Sequence, residues 1–539
     1  MKKKTGVLLF ALLFVLATVT AGCGGPSAER EQAAPQILEL NLANGEPTSL
    51  DPAQAFDQDS MDVVNSLFEG LMRLNKDHQP EPAVAEKVDK SDDLRTYTFT
   101  LRKDAKWSNG ELVTAHDFEY AWKRVLNPKT ASSASYLMYF IKNGEKYNAG
   151  KASADEVGVK AKDDHTLVVE LEKPTPFFEE LTCYTVYAPV YKKGLEQNQD
   201  LYGNGKEYVG NGPFVLKSWK HDSKIVTEKN KYYRDADAVK LNGIEWNMYA
   251  DEATAYQMYQ SGKLHINGYP PVDLKDSLIK KGEAKVTSDS GLEFYRFNVN
   301  KKPFTNEKIR RAFALAVDRQ LLVDRVVRGQ EKIATAFVAP GTTSESGDFR
   351  ADGPSFFEDA QFDQAKKLLR EGMKEEGWKE LPTVELLLNK DSDKNKKVAE
   401  AIQEMYRKHL GVNIKLRAME TKVFFDNQKS QNYTLSRSTF LPDYNDPYNY
   451  LESFQTDHPT NRTGWSNKKY DELLKKAGAE TDESKRIQLL HEAEKILMKE
   501  MPIIPLYYYN DVYMQKPEVK HVLRHTVGPN DYKYVTLEN

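Results

Sequence analysis

The stretch TVELLLNKDSDKNKKVAEAIQEMYRKHLGVNIKL, residues 383–416, indicates the fold class of this chain. It begins with six residues that have the pattern of a strand, and apolar residues then recur at helical spacing as far as Leu410. Gly411 supplies a helix stop, and residues 412–416 alternate between apolar and polar as a second strand. A strand, a helix and a strand at this spacing predict a right-handed parallel crossover.

The same two patterns recur on both sides of this unit. Alternating runs predict strands at 37–42, from Tyr97, at 167–171 and at 214–216, and amphipathic runs predict helices from Thr114, over 251–262 and over 483–499. Strands mixed throughout with amphipathic helices are typical of α/β or α+β proteins.

The first 23 residues have the pattern of an export signal. Lysines at positions 2–4 precede an apolar run over 7–19, which is shorter than the roughly 20 residues of a membrane-spanning helix, and three small residues lead to Cys23. This resembles a bacterial lipobox, which implies a signal peptide over 1–22 and lipidation of Cys23. An ordinary signal peptide with an incidental cysteine is the alternative. Residues 23–36 have almost no large apolar side chain and predict a flexible tether.

The bulk composition limits the size and the partners of the protein. A length of 539 residues is enough for two or three domains, and 40% hydrophobic residues allow sizeable cores. The formal net charge of -4 argues against nucleic acid as a partner. Only Cys183 remains once Cys23 is lipidated, so no internal disulfide is available and stability must come from packing.

Sequence motifs for catalysis, nucleotides and metals are absent or incomplete. The sequence has neither a Gly-x-x-x-x-Gly-Lys-Ser/Thr loop nor a Gly-x-Ser-x-Gly elbow. His491 is followed by Glu492 without the second histidine of a zinc helix, and 391–395 begins like a calcium loop but has Lys396 where glycine is needed. We therefore expect no cofactor, no metal site and no catalytic residue, although a triad built from distant residues leaves no contiguous motif.

Several short segments, taken together, carry a family resemblance. They are EPTSLDP (46–52), FEGL (68–71), LRKDAKW (101–107), VGNGPF (209–214), RRAFALAVD (310–318) and RSTFLPDYNDP (437–447). In this order along the chain they resemble the peptide-binding lipoproteins of bacterial ABC importers, extracellular solute-binding protein family 5, and the last segment resembles the oligopeptide-binding branch. The resemblance implies an α/β, two-lobed fold like that of class II periplasmic binding proteins, with an additional third domain.

The resemblance also implies how the chain divides among these domains. Lobe I is expected to be discontinuous, formed by 37–68, 192–301 and 510–539. The additional domain is expected at 69–191, and lobe II, which contains the crossover, at 302–509. Lobes joined by crossing segments suit hinge closure around a ligand that bridges both halves.

The segment 437–447 carries the expected ligand contacts. A receptor for many peptides must bind what all peptides share, and an extended ligand beside an exposed strand, such as the alternating run 433–439, satisfies its backbone groups. The resemblance implies that Asp443 pairs with the free α-ammonium of the ligand; a turn-forming role is the alternative. It implies that Arg437 meets a ligand carboxylate, with a structural ion pair as the alternative.

Further residues near this segment are expected at the ligand or its cleft. Phe440, where close relatives have Trp, would line a side-chain pocket, and Trp465 is a cleft or hinge aromatic unless it belongs to the core. Phe56 and Asn395 depart from the best-known branch, which has an acidic residue and a histidine there, so peptide length and end recognition are expected to differ. The remaining candidates are Ser438, Thr439, Leu441 and Asn445.

The function implied by the resemblance is that of a lipid-anchored receptor on the extracytoplasmic face of the cell membrane. It would capture oligopeptides for import and perform no chemistry on them. The expected partners are the peptide, the membrane subunits of an ABC permease and the membrane through Cys23, with the protein itself a monomer. Alternatives are a receptor for a cell-wall (murein) tripeptide or for signalling peptides and, in another class, a surface-anchored hydrolase.

Overall fold

A computed structural model describes residues 36–42, 45–203, 207–344, 347–390 and 392–538. The predicted signal sequence, Cys23 and the tether as far as residue 35 lie outside these residues, so export and lipidation stay predictions. Within the described part of the chain, no helix combines the length and the apolar character that crossing a membrane requires.

Strands and helices alternate along the described residues. The strands are β1 (Ile37–Asn41), β2 (Met72–Leu74), β3 (Pro80–Pro82), β4 (Ala85–Lys90), β5 (Thr96–Leu101), β6 (Val159–Asp163), β7 (Thr166–Glu170), β8 (Phe214–Lys220), β9 (Lys224–Lys229), β10 (Gly243–Asn247), β11 (Ile266–Asn267), β12 (Lys285–Phe297), β13 (Lys332–Ile333), β14 (Glu385–Asn389), β15 (Lys415–Met419), β16 (Leu435–Phe440), β17 (Ile503–Gln515), β18 (Val519–Lys520) and β19 (Thr536–Leu537). The helices are α1 (Gln58–Leu67), α2 (Ala115–Leu126), α3 (Gly144–Asn148), α4 (Phe178–Leu181), α5 (Lys192–Gln197), α6 (Glu252–Gln260), α7 (Lys275–Lys280), α8 (Glu307–Leu315), α9 (Arg319–Leu321), α10 (Phe349–Asp352), α11 (Phe362–Glu375), α12 (Asp393–Leu410), α13 (Thr421–Lys429), α14 (Pro447–Glu452), α15 (Lys468–Ala477) and α16 (Glu483–Glu500).

The largest sheet joins strands from both ends of the chain. Its order is β15-β14-β16-β12-β17-β11-β1-β10-β9-β8, with β13 paired to β17 off this path. β1 lies parallel to β10 and β11, whereas β12 pairs antiparallel with both β16 and β17. A separate four-stranded antiparallel sheet has the order β4-β5-β7-β6.

The crossover predicted at 383–416 is present. β14 and β15 pair in parallel, and α12 connects them. The Ser392 hydroxyl caps this helix by accepting a hydrogen bond from the Asn395 N–H at 3.2 Å, and Gly411 ends it with a φ of 70°. The helix therefore ends at Gly411 as the sequence pattern indicated, whereas its start, set by the Ser392 cap, was not indicated by the sequence.

The other predicted elements also form, with small shifts at their ends. The strands expected at 37–42, from Tyr97, at 167–171 and at 214–216 are β1, β5, β7 and β8, and the predicted helices are α2, α6 and α16. The strand expected at 433–439 is β16, which begins at Leu435. Thr434 instead bonds through its hydroxyl to the backbone N–H and C=O of Glu385, at 2.9 Å each.

The described residues pack into two large hydrophobic cores and smaller clusters. The first core is built mainly from residues between Leu38 and Ile266 and from C-terminal residues between Val519 and Val535. The second core is built from residues between Leu292 and Tyr508. β17 extends beyond the second core into a small cluster that contains Val512 and Met514, and its register with β12 shifts between Ser288 and Leu292.

The turn at Asn211-Gly212-Pro213 holds the C-terminal end of α1. The Asn211 side chain accepts a hydrogen bond from the Glu69 N–H at 3.0 Å and donates one to the Glu69 carbonyl at 2.8 Å. A Cβ atom on Gly212 would lie 2.5 Å from the carbonyl carbon of Leu67, so only glycine fits there without a shift. This close approach fixes the position of α1, whose first turns line the cavity described next.

Candidate functional site

A cavity of about 580 Å³ lies where residues of the first core meet the ends of β12 and β16. Its volume is within the usual range of pockets for small ligands. Its walls come from segments that are distant in the chain: 40–42, 55–62, 137, 184–186, 266–269, 289, 441–443, 511–513 and 524–532. A ligand in this cavity would contact both the N-terminal and the C-terminal parts of the chain.

The N-terminal end of α1 forms one wall of the cavity. Asp57 caps the helix by accepting a hydrogen bond from the Ser60 N–H at 2.9 Å. Asp62, one turn on, accepts hydrogen bonds from the N–H and side-chain amide of Asn530 at 2.9 and 2.7 Å. Burial raises the pKa of Asp62 to about 7, against these hydrogen bonds. This wall therefore combines the positive end of a helix dipole with carboxylates.

Asp443 faces the cavity from the loop between β16 and α14. Its side chain is half-buried, and the Tyr136 hydroxyl donates a hydrogen bond of 2.5 Å to one carboxylate oxygen. Burial raises the pKa of Asp443, although hydrogen bonds from Tyr136 and Asn449 act in the opposite direction. No basic side chain of the described residues forms an ion pair with it. The carboxylate is thus partly removed from water, and none of the described residues supplies a cationic partner.

A second group of charged residues lies on the cavity wall formed by β12 and β17. Burial and the nearby charge of Asp511 raise the pKa of Asp289 to about 6. Arg524 lies close to Asp511, and its guanidinium stacks on the Tyr513 ring at 3.7 Å from the ring centre. Both signs of charge therefore occur on this wall.

The cavity as a whole has an excess of negative charge. Among the described residues, Arg524 is the one arginine or lysine that lines it, and burial together with His78 lowers the pKa of His525 to about 4, so this imidazole is neutral at pH 7. The carboxylates of the lining are Asp57, Asp59, Asp62, Asp289, Asp443 and Asp511. Such a lining suits a ligand with at least one cationic group. In the described part of the chain, no group of three or more His, Cys, Asp or Glu side chains is arranged to hold a metal ion.

Arg437 does not line this cavity. Its Nε and Nη2 atoms donate hydrogen bonds to the two carboxylate oxygens of Glu293 at 2.7 and 2.8 Å, in a two-point pair between β16 and β12. Glu293 is 1% exposed and also accepts a hydrogen bond of 2.5 Å from the Tyr509 hydroxyl. For Arg437 the sequence left open a ligand contact or a structural ion pair. The geometry in the structure is that of a structural ion pair.

Of the other predicted site residues, only Leu441 lines the cavity, with 58% of its surface exposed. Phe440 packs against Tyr450 and Phe337 with ring centres 4.9 and 5.5 Å apart. Trp465 is buried in the second core, where its indole N–H donates a hydrogen bond to Glu500 at 2.7 Å. Its position is therefore that of a core residue, the alternative to a cleft or hinge aromatic.

The polar candidates bond mainly within the protein. Ser438 is buried and accepts a hydrogen bond from Arg296, and Thr439 accepts one from the Tyr509 hydroxyl at 2.9 Å. Asn445 is buried as well, and its N–H donates to Glu180 at 2.6 Å. None of these three residues lines the cavity, to which this segment contributes only the residues 441–443.

Several cavity residues were not anticipated from the sequence. They are Tyr269, Asp289, Asp511 and Arg524, and Tyr136, which bonds to Asp443 from outside the lining, was not anticipated either. Each is an isolated polar residue in a segment without a recognisable motif, and the fold alone brings it to the cavity. Phe56, noted earlier as a departure from the family pattern, lines the cavity and packs edge-on against Tyr136 at 6.2 Å, whereas Asn395 is buried away from it.

Comparison with known proteins assigns the chain to a family. Residues 79–462 match bacterial extracellular solute-binding proteins, family 5. The dipeptide-binding protein DppE of Bacillus subtilis is 47% identical over 528 residues, covering 98% of this chain and 96% of that protein. An unliganded open form of the periplasmic murein tripeptide-binding protein MppA has a TM-score of 0.82 at 32% identity, covering 94% and 98% of the two chains. OppA of Listeria monocytogenes bound to peptide has a TM-score of 0.73 at 35% identity, covering 94% and 100%.

These similarities extend over nearly the whole chain and confirm the expected α/β, two-lobed fold. The higher of the two TM-scores is that with the unliganded open form. The chain belongs to the bacterial extracellular solute-binding proteins of family 5.

Proposed function

We propose that this protein captures peptides in the cavity beside Asp443 and delivers them to an ABC permease. The observation that carries the proposal is the state of the Asp443 carboxylate. It faces the cavity, is partly desolvated, and has a hydroxyl donor in Tyr136 but no cationic partner among the described residues. A charged carboxylate in such a place gains most from a ligand that supplies an ammonium group.

The edge of β16 supports an extended ligand. β16 pairs with β12 along its whole length but with β14 only at Leu435 and Ser436. The backbone of residues 438–440 therefore lacks a partner strand on the β14 side within the described residues, and this edge leads directly to Leu441 and Asp443. A peptide added beside it would form main-chain hydrogen bonds with its amino terminus near Asp443, which is a recognition mode independent of side-chain sequence.

Three of the relatives support a peptide as the ligand. DppE and OppA are named as dipeptide- and oligopeptide-binding proteins, and MppA as a murein tripeptide-binding protein. Since peptides of each class have a free amino terminus, one acidic anchor serves all of them. We propose oligopeptides as the ligand class, with a murein tripeptide and signalling peptides as alternatives that mass spectrometry of the natively co-purified ligand would distinguish.

The remaining parts of the proposal concern the chain outside the cavity. Lipidation at Cys23 would tether the receptor to the outer face of the membrane as a monomer, near its permease. The division into lobe I, additional domain and lobe II at the residues given above stays a proposal. The second hydrophobic core falls mostly within the expected lobe II, whereas the first core contains residues of both lobe I and the additional domain. We propose that the protein does not alter its cargo, so a mixed peptide library incubated with it should be recovered whole; released fragments would instead indicate a hydrolase.

The decisive test couples Asp443 to the ligand amino terminus. Asp443→Asn should weaken the binding of free-amine peptides by about 2–5 kcal/mol, because the ammonium loses a buried charge partner. N-terminal acetylation should weaken binding to the wild type by a similar amount and have little effect on the variant, as calorimetry in a double-mutant cycle would measure. Asp511→Asn, which removes a carboxylate from the same cavity, is the control and should keep the effect of acetylation. An unchanged affinity of Asp443→Asn for free-amine peptides would show that Asp443 does not bind the ligand.

A further inference from the structure

The loop that carries Asp443 is anchored to the first core. This loop, residues 441–446, follows β16 and precedes α14. Tyr444, directly after Asp443, is 1% exposed and belongs to the first core, whereas Tyr448 on α14 belongs to the second core. The Phe177 ring stacks on Tyr444 with ring centres 4.5 Å apart and ring planes 15° apart. The neighbour of the proposed ammonium partner is therefore held by a segment that comes far earlier in the chain.

A buried hydrogen bond reinforces this contact. The Asn445 N–H donates to Glu180 at 2.6 Å, and the Tyr184 hydroxyl donates to the same carboxylate oxygen at 3.2 Å. Glu180 is 7% exposed, and no basic side chain of the described residues forms an ion pair with it. Since Tyr184 lines the cavity, Glu180 joins the backbone of the loop to a residue of the cavity wall.

Glu180 lies on a rigid support. Its helix α4 follows the run KPTP, residues 173–176, in which the proline rings fix the backbone φ. Phe178 is fully buried and packs against Tyr97 with ring centres 5.0 Å apart. The Tyr97 hydroxyl donates to the Thr175 carbonyl at 2.9 Å. Packing and hydrogen bonds on this support leave Glu180 little freedom, as is required of a residue that positions another.

The opposite side of the loop bonds to residues on the side of the second core. Arg486 donates to Asp446 at 2.5 Å, and the Asn445 side chain donates to the Thr343 hydroxyl at 3.0 Å. These bonds do not set the distance between Asp443 and the cavity walls that the first core supplies. That distance depends on the contacts of the loop with the first core.

We infer that Glu180 and Phe177 are positioning residues for ligand binding, which hold the loop so that the Asp443 carboxylate faces the cavity where an ammonium group binds. This inference rests on the proposed function. It adds that the ammonium site is assembled from two parts of the chain, one that supplies the carboxylate and one that supports it. Neither positioning residue lines the cavity, so the effect of each on the ligand passes through Asp443.

The test uses alanine peptides of two to five residues with a free or an acetylated amino terminus. The readout is the ratio of the two dissociation constants, measured by calorimetry for the length that binds best. Both constants come from the same preparation, so a loss of folded protein alone leaves the ratio unchanged. In the wild type, acetylation should raise the dissociation constant by about 30-fold or more.

Two variants of Glu180 separate its acceptor oxygen from its charge. In Glu180→Leu the Asn445 N–H loses its acceptor, so the loop is released and the acetylation ratio should fall by about tenfold. Burial raises the pKa of Glu180 to about 7, which makes a neutral amide a close substitute. Glu180→Gln keeps an acceptor oxygen and should therefore keep the wild-type ratio.

A second positioning variant and a matched control complete the set. Phe177→Leu removes the ring that stacks on Tyr444 and should also lower the ratio, which provides a test if Glu180→Leu does not fold. Asp117→Leu removes a carboxylate of the same region that is 8% exposed and accepts the Thr114 N–H at 2.9 Å, away from the loop and the cavity. It should lower the thermal midpoint and keep the wild-type ratio.

The outcomes distinguish this inference from the proposed function. A wild-type ratio in both Glu180→Leu and Phe177→Leu would overturn the positioning role and leave the proposed function intact. An equal fall of the ratio in Glu180→Gln and Glu180→Leu would overturn the role of Glu180 as an acceptor. A ratio near 1 in the wild type, or no binding of any of these peptides, would overturn both the positioning role and the role of Asp443.

Discussion

At the residue scale, the chemistry of the cavity is set by how far each carboxylate is removed from water. Asp57 caps a helix and its hydrogen bonds lower its pKa in spite of burial, whereas burial raises the pKa of Asp443 and brings that of Asp289 to about 6. The same residue type therefore serves as a structural cap at one position and, at Asp443, as a partly buried carboxylate without a cationic partner among the described residues. The second kind of carboxylate is the one that a cationic ligand stabilises.

This difference predicts a pH dependence of binding. A ligand ammonium next to Asp443 favours the ionised carboxylate, so the pKa of Asp443 is lower in the complex than in the free protein, where burial raises it. The affinity for free-amine peptides should be highest at pH values above the pKa of Asp443 in the free protein. Below that pKa the affinity should fall by up to about tenfold per pH unit. Calorimetry between pH 4 and 8 measures this fall in affinity. In Asp443→Asn the part of the fall that comes from protonation of Asp443 should be absent. An identical profile in the variant would assign the pH dependence to other cavity groups.

At the element scale, neighbouring strands and turns are joined by contacts that the strand pattern alone does not show. Arg437 on β16 and Glu293 on β12 form the buried two-point pair, and Asn211 and Gly212 lock the turn before β8 onto the end of α1. Both contacts lie next to elements that line the cavity. We expect them to act on stability first and on ligand binding only through the positions of β16 and α1.

The ion pair predicts a loss of stability when its arginine is removed. Arg437→Met should lower the free energy of unfolding by about 3–5 kcal/mol, because Glu293 would be left charged and buried. The double variant Arg437→Met with Glu293→Met should regain much of this loss, since it leaves no unpaired charge. Denaturant unfolding of the free protein measures both effects. A single variant of unchanged stability but weakened peptide binding would mean that Arg437 contacts the ligand after all.

The turn predicts that a single methyl group at Gly212 is not tolerated. In Gly212→Ala the new Cβ would lie 2.5 Å from backbone atoms of Leu67 and Phe68, so the turn or α1 must move, which typically costs about 1–3 kcal/mol. Thermal unfolding should show a lower midpoint than in the wild type. Gly268→Ala is the control, because a methyl group there meets no atom within 4 Å and its midpoint should be unchanged. Equal midpoints for the two variants would show that the turn has room to adapt.

At the scale of the whole molecule, β12 and β17 connect the second core to the region of the cavity. Each strand is 13 residues long, and their pairing shifts register next to Asp289. Long strands that cross between packed regions allow the regions to rotate while their cores stay intact. The TM-score is 0.82 with the unliganded open form of MppA and 0.73 with the peptide-bound OppA.

Hinge closure around a ligand predicts that the protein becomes more compact when it binds peptide. A ligand that bridges Asp443 and the opposite wall has more contacts in a closed state and shifts the population toward it. Small-angle X-ray scattering should therefore give a smaller radius of gyration at saturating peptide than without ligand. Asp443→Asn should require a higher peptide concentration for the same change. A constant radius at a concentration that calorimetry shows to be saturating would exclude hinge closure as the response.

The sequence by itself determined the local elements and part of the site. The crossover at 383–416, the helix stop at Gly411 and the α/β class followed from patterns of neighbouring residues, because capping and hydrophobic periodicity are properties of a few adjacent positions. The family resemblance pointed to Asp443, which does face the cavity. Only the tertiary structure decided that Arg437 is held by Glu293 and that Arg524, 81 residues after Asp443 in the sequence, lines the same cavity as Asp443. Which charges meet depends on strand register and on packing between segments far apart in the chain, and no local pattern encodes that.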